Sequence, residues 1–156
     1  MTEAEQRTAV VAEARSFIGT RYHHMGRIKV ARDPHGAITD CGGVDCATLL
    51  AEVFARAGAI LPVRIAHYPP DWHLHRGAER YLSQLESVAH PVEEAAVRPG
   101  DIVLYRYGRA WSHGAIVVDP GWPAIVHAFW TTGCVHPDRG DGGELADRPR
   151  RFFSVW

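Results

Sequence analysis

A cysteine stands where an apolar helical stripe begins. Leu49, Leu50, Val53, Phe54 and Ala57 follow Cys46 at offsets of three, four, seven, eight and eleven, so the spacing predicts a helix buried on one side. Cys46 then lies in its first turn, on the packed face. Unpaired backbone N–H groups and the positive end of the helix dipole converge there and favour a thiolate, the form in which cysteine is a nucleophile. The dipole supplies about 0.3–1 kcal/mol, less than one pKa unit at about 1.36 kcal/mol per unit. A neighbouring imidazolium has to supply the rest. Gly42 and Gly43 upstream permit a tight approach, and Gly58 reads as the helix stop.

The bases for such a nucleophile come from the last third of the chain. His113-Gly114-Ala115-Ile116-Val117-Val118 and Ala124-Ile125-Val126-His127-Ala128-Phe129-Trp130 flank Asp119-Pro120-Gly121-Trp122-Pro123, a hairpin signature. Pro123 has no N–H for a ladder, which favours the five-residue loop Asp119–Pro123. An odd loop puts His113 and His127 on one face: five residues make them diagonal neighbours, roughly 7–8 Å apart between Cα atoms, three would set them directly opposite, and an even loop without a bulge would separate them. The working geometry lays the helix N-terminus against this sheet, with Cys46 facing His113 and His127 orienting His113 from behind. That is nucleophile, base and orienter, the logic of the serine triad in another residue set.

The remaining elements have to hold these parts in place. Glu3 to Ile18 carries Val10, Val11, Ala14, Phe17 and Ile18 on one face, an amphipathic helix that should pack beside the cysteine helix. From Thr20 to Gly43 the pattern is turn chemistry and predicts a long loop leading to the nucleophile. Leu61 to Arg76 has no clear period and reads as a packed loop, with His67, His73 and His75 hydrogen-bonded inside it. Glu79 to Val88 is a short helix; Ile102–Tyr105, Cys134–Val135 and Arg151–Trp156 are further strands. Helices first and a meander second predict an α+β layer fold in one domain spanning 1–156.

At 156 residues, 46% hydrophobic and 22% charged, the chain has the makeup of a globular domain. A net charge of −1 offers no basic field for nucleic acid. No apolar run approaches the ~20 residues of a membrane span, and the N-terminus lacks a signal-peptide pattern. The expectation is synthesis in a cytoplasm without an export signal. Cys41, Cys46 and Cys134 are odd in number, which suits reduced thiols. Ten histidines raise the alternative of a metal site with Cys41, but no Cys-x-x-Cys or His-Glu-x-x-His spacing supports it, so no metal and no cofactor are expected. Trp72, Trp122 and Trp130 fit either a core or a partner surface.

Four stretches together resemble the NlpC/P60 family of papain-like cysteine peptidases, which act on peptidoglycan. They are Phe17-Ile18-Gly19-Thr20-Arg21-Tyr22, Val44-Asp45-Cys46-Ala47-Thr48-Leu49, Pro99-Gly100-Asp101-Ile102-Val103, and Ser112-His113-Gly114-Ala115-Ile116-Val117 with Ile125-Val126-His127-Ala128. The resemblance implies the papain-like fold, with helices packed on a C-terminal antiparallel sheet. It implies Cys46 as nucleophile, His113 as general base and His127 as the polar third member. It also implies Tyr22, Asp45 and Ser112 as substrate-contacting residues, with Tyr22 near the oxyanion and Asp45 on a stem-peptide amine. The expected bond joins D-γ-glutamyl to a diamino acid. Tyr22-His23-His24-Met25-Gly26-Arg27 and Tyr68-Pro69-Pro70-Asp71-Trp72 resemble the branch found in tailed phages, which implies phage-tail proteins as partners, delivery by a virion or phage-like particle, and action in the host cell wall. Asp45-Cys46-Ala47-Thr48 replaces the family's usual Asp-Cys-Ser-Gly, so any oxyanion site there must use backbone N–H groups. Two alternatives share the pattern: a structural tail component that lost activity, and an amidase cutting between sugar and peptide.

Overall fold

The computed structural model describes residues 1–70 and 79–156. His73, His75 and Trp72 lie outside the described residues. Helix α1 (Glu3–Ser16) starts at a capping box in which Thr2 accepts from the Glu5 N–H and Glu5 reaches back to the Thr2 N–H. Helix α2 (Cys46–Arg56) begins at the cysteine, as the apolar stripe requires, and gives way to Gly58 at φ +71°. Helix α3 (Arg80–Glu86) is the short third one.

Between α1 and α2 the expected long loop is instead two small ribbons. Strand β1 (Arg27–Ile28) pairs with β4 (Gly43–Val44), and β2 (Ala31–Arg32) pairs with β3 (Ile38–Asp40). Two- and three-residue strands are too short to show a period among so many turn residues, which is why the sequence hid them. Gly42 explains the glycine pair. Its φ is +59°, and a Cβ there would fall 2.2 Å from the Ile28 carbonyl oxygen.

The main sheet has six antiparallel strands in the order β5-β10-β6-β7-β8-β9: β5 (His90–Val92), β6 (Ile102–Tyr107), β7 (Ala110–Val117), β8 (Ala124–Phe129), β9 (Cys134–Arg139) and β10 (Arg150–Ser154). Alternation along the strands divides two cores. Ile102, Leu104, Ile116, Val126, Ala128 and Phe153 meet α1 and α2. Val103, Tyr105, Ala115, Val117, Ile125, Phe129 and Phe152 form the second, closed by Leu145, with Trp122 packed edge-on against Phe152. Strand β5 carries Pro91 and was not read from the sequence; it occupies a sheet edge, where proline is tolerated. Arg7 lies in line with Val10 and Ala14 on the packed face of α1 and is buried with them. Its guanidinium donates to Asp101 at 2.8 Å, the Pro99 carbonyl at 3.0 Å and Ser154 at 3.1 Å, tying α1 to the start of β6 and the end of β10. No helix among the described residues is long and apolar enough to cross a membrane.

Candidate active site

The start of α2 is fixed by Asp45. Its Oδ1 accepts from the Ala47 N–H at 3.0 Å, the Thr48 N–H at 2.9 Å and the Thr48 hydroxyl, while Thr48 Oγ1 accepts from the Asp45 N–H at 2.9 Å. This reciprocal cap accounts for threonine in Asp45-Cys46-Ala47-Thr48. Its Oδ2 accepts from the Met25 N–H at 2.8 Å and from the Tyr68 hydroxyl. The carboxylate is 2% exposed and both oxygens have donors, so Asp45 is the cap and anchor of α2. Met25 adopts a left-handed φ of +57°, unusual outside glycine, held by that bond to Asp45. His24 Nε2 lies 2.7 Å from the Tyr68 carbonyl oxygen, so the segments around Tyr22 and Tyr68 meet at this carboxylate.

Strand β7 receives the thiol. Its ladder to β6 pairs Tyr105 with His113 and Arg106 with Trp111, leaving Ser112 as the extra residue of a bulge. Cys46 Sγ donates to the Ser112 carbonyl at 3.5 Å, and the Gly114 N–H points at the sulfur from the other side of His113. Gly114 is required by this approach. A Cβ there would lie 2.2 Å from the Tyr81 hydroxyl oxygen and 2.5 Å from Leu50 Cδ1. Tyr81 in turn donates to the Cys46 carbonyl at 3.1 Å. Tyr22, hydrogen-bonded through its N–H to the Gly133 carbonyl at 2.7 Å, completes the surroundings; burial, then the nearby Cys46 and Asp45, raise its pKa.

The hairpin has the expected five-residue loop: Val117 pairs with Ile125, and the Val118 N–H donates to the Ala124 carbonyl at 3.0 Å. His113 and His127 are therefore diagonal neighbours, and His113 Nε2 lies 2.9 Å from His127 Nδ1. Both rings are fully buried. Trp130, 44% exposed, stands edge-on to His113 at 5.5 Å and separates it from solvent. His127 Nε2 lies 3.2 Å from Asp138 Oδ2, off the line of a well-formed hydrogen bond. Asp138 and His136 were missed by sequence reading because they reach the site only through the β8–β9 register, which sets His136 opposite His127.

Burial, reinforced by the Asp45 charge, pushes the Cys46 thiol up to about 12, and the N–H groups of Gly114, Cys46 and Ala47 only partly offset it. Burial holds His113 well below the usual histidine range, with the charges of His127 and His136 adding to it. Burial likewise lowers His127 to about 4, with His136 acting in the same direction and Asp138 opposing. Burial thus disfavours the thiolate and the imidazolium forms alike. The helix dipole is too small to overcome desolvation at a residue only 8% exposed.

The structure thus brings His113 and His127 into contact, sets Cys46 against the backbone on both sides of His113, and gathers Tyr22 and Ser112 beside them. Cys41 is exposed in the link between β3 and β4.

A helix-borne cysteine beside strand-borne histidines, in helices layered on an antiparallel sheet, defines the papain-like class. Within it, the chain belongs to the NlpC/P60 family, whose model matches residues 19–142. Among solved structures it is similar to the P60 domain of antigen MAP1204 from Mycobacterium avium subspecies paratuberculosis, at 18% identity and TM-score 0.60 over 97% of this chain and 96% of that one. It is similar to the peptidoglycan hydrolase RipB of Mycobacterium tuberculosis, at 20% identity and TM-score 0.60 over 99% of this chain and 68% of that one. RipD of the same species, a non-catalytic NlpC/P60 domain protein, has 17% identity and TM-score 0.59 over 97% and 98%. At these identities the likeness establishes the fold. Among curated proteins none matches the chain at a significant level.

Proposed function

We propose that this chain is a cysteine peptidase that hydrolyses an amide bond in peptidoglycan stem peptides. One observation carries the reading: the Cys46 thiol abuts the backbone flanking His113, whose Nε2 is engaged by His127 while its Nδ1 has no partner among the described residues. Because burial disfavours both the thiolate and the imidazolium, attack is coupled to proton transfer. Sγ bonds to the carbonyl carbon as its proton passes to His113 Nδ1, and the oxyanion is held by backbone N–H groups near Cys46 and Gly114. The imidazolium then protonates the leaving amine, giving the acyl-enzyme. Water activated by His113 hydrolyses it, and His127 keeps the ring in the required tautomer.

The family resemblance supports the bond between D-γ-glutamyl and a diamino acid. Action as a tail-associated enzyme of a phage or phage-like particle is the finer reading, and it rests on the resemblance of the Tyr22–Arg27 and Tyr68–Trp72 sequences alone. A second reading, a non-catalytic domain that binds stem peptides, is favoured by the deep burial and raised pKa of Cys46. Digestion of purified sacculi followed by mass analysis of the muropeptides separates them. The proposal expects cleavage at the γ-glutamyl bond by the wild type and none by Cys46→Ala, with the fold retained. Full cleavage by Cys46→Ala refutes the nucleophile; sacculus binding without cleavage by the wild type selects the second reading; release of intact stem peptides from sugar identifies an amidase.

A further inference from the structure

We propose that His127, His136 and Asp138 form a binding site for a divalent transition cation such as Zn2+, at the edge of the sheet away from the thiol. One donor atom from each of the three lies within 4.8 Å of the others. The β8–β9 register supplies the platform. His136 is directly opposite His127, and Asp138, two residues further along β9, is diagonal to it. The side chain of His136 is poised as a ligand: its Nδ1 lies 3.0 Å from the Pro137 carbonyl oxygen, an acceptor only, so Nδ1 carries the proton and the lone pair is on Nε2. That Nε2 is buried without a hydrogen-bond partner among the described residues, and so is His127 Nε2 on a fully buried ring. The two rings are 4.6 Å apart between centroids. A proton on His127 Nε2 serves the Asp138 carboxylate but leaves the His136 Nε2 lone pair without a donor, whereas one cation serves all three groups. Tetrahedral zinc with bonds of about 2.1 Å needs donor atoms roughly 3.4 Å apart. His127 Nε2 and Asp138 Oδ2 already lie 3.2 Å apart, and rotation of half-buried His136 would close the remaining gap, with a fourth position left to water.

The site has a consequence that rests on the peptidase reading. Without metal, the ionised Asp138 favours a proton on His127 Nε2. His127 Nδ1 then accepts from His113 Nε2, and the lone pair of His113 sits on Nδ1, free to take the thiol proton. A metal on His127 Nε2 forces the His127 proton to Nδ1, where it donates to His113 Nε2. Neutral His113 then carries its proton on Nδ1 and cannot accept another there. Zinc is therefore an inhibitor acting through the tautomer.

The test uses the chain stripped with a chelator and titrated with Zn2+. Calorimetry should find one equivalent bound by the wild type and by a variant lacking all three thiols, with affinity at least tenfold weaker in His136→Gln and in Asp138→Asn. In the wild type, the ring-nitrogen resonances of His127 and His136 should shift on adding one equivalent. Unshifted resonances, unchanged affinity in His136→Gln, or loss of binding with the thiols would each overturn the site. Equimolar zinc should reduce muropeptide cleavage at least tenfold, reversibly with chelator. Full cleavage with the site loaded overturns the tautomer mechanism; zinc binding by a chain that cleaves nothing even when metal-free overturns the peptidase reading and leaves the site standing.

Discussion

Acidification should unfold this protein through its buried imidazoles well before the carboxylates titrate. In the folded chain burial lowers His127 to about 4, whereas an unfolded histidine takes up its proton near 6.5. Between these values the unfolded state binds more protons, so stability is present above about pH 6.5 and is lost as pH falls toward 4. From pH 7 to pH 5 the unfolded histidine gains about 1.4 log units of proton-binding free energy and the folded one almost none. At about 1.36 kcal/mol per unit this amounts to about 2 kcal/mol from His127 alone. His113, shifted in the same direction by burial, adds to the loss. A domain of this size has about 5–15 kcal/mol in total, so the effect is large. Urea titrations at pH 7 and pH 5, on the wild type and on His127→Gln, measure it. The glutamine variant should lose about 2 kcal/mol less between the two pH values, whatever its stability at pH 7. Equal acid sensitivity in the two proteins would refute the assignment of a lowered His127 pKa, because the carboxylates are common to both.

Three further perturbations probe the supports of the site. Alkylation at neutral pH should modify exposed Cys41 first and leave Cys46 protected, its rate rising only far into alkali; an apparent pKa below about 8 for Cys46 would show that the resting pair is ionised. Gly114→Ala forces a methyl group into Tyr81 and Leu50 and should destabilise by about 1–3 kcal/mol, measured by urea midpoint; an unchanged midpoint would show that α2 does not need this close approach. Asp101→Ala leaves the Arg7 guanidinium buried beside a lost carboxylate and should reduce stability by about 3–5 kcal/mol. A loss under about 1 kcal/mol would mean that Arg7 finds solvent when its partner is removed.

How far the site could be read from sequence depended on whether a residue's neighbours are near in chain or only in space. The helix at Cys46 declared itself through its apolar stripe. The parity of a loop containing Pro123 was enough to place His113 and His127 on one face, since strand alternation and a short hairpin leave few choices. The burial around the thiol was not legible, because Tyr22, Tyr68 and Tyr81 reach Cys46 from three segments far apart in the chain, and even the helical spacing around Tyr81 does not say where that helix docks. Asp45 shows the same division from one side chain. Its capping bonds to Ala47 and Thr48 are local and follow from Asp-x-x-Thr at a helix start, while its bonds to Met25 and Tyr68 come from tertiary packing. His136 and Asp138 follow a Gly/Thr turn whose length did not fix a register. A one-residue slip of β9 would have turned both away from His127. What the chain writes locally is the helix-borne thiol and the imidazole pair. What it writes only through packing is the burial that raises the thiol and lowers both imidazoles, and on the peptidase reading that burial couples the movement of the thiol proton to the attack of the sulfur.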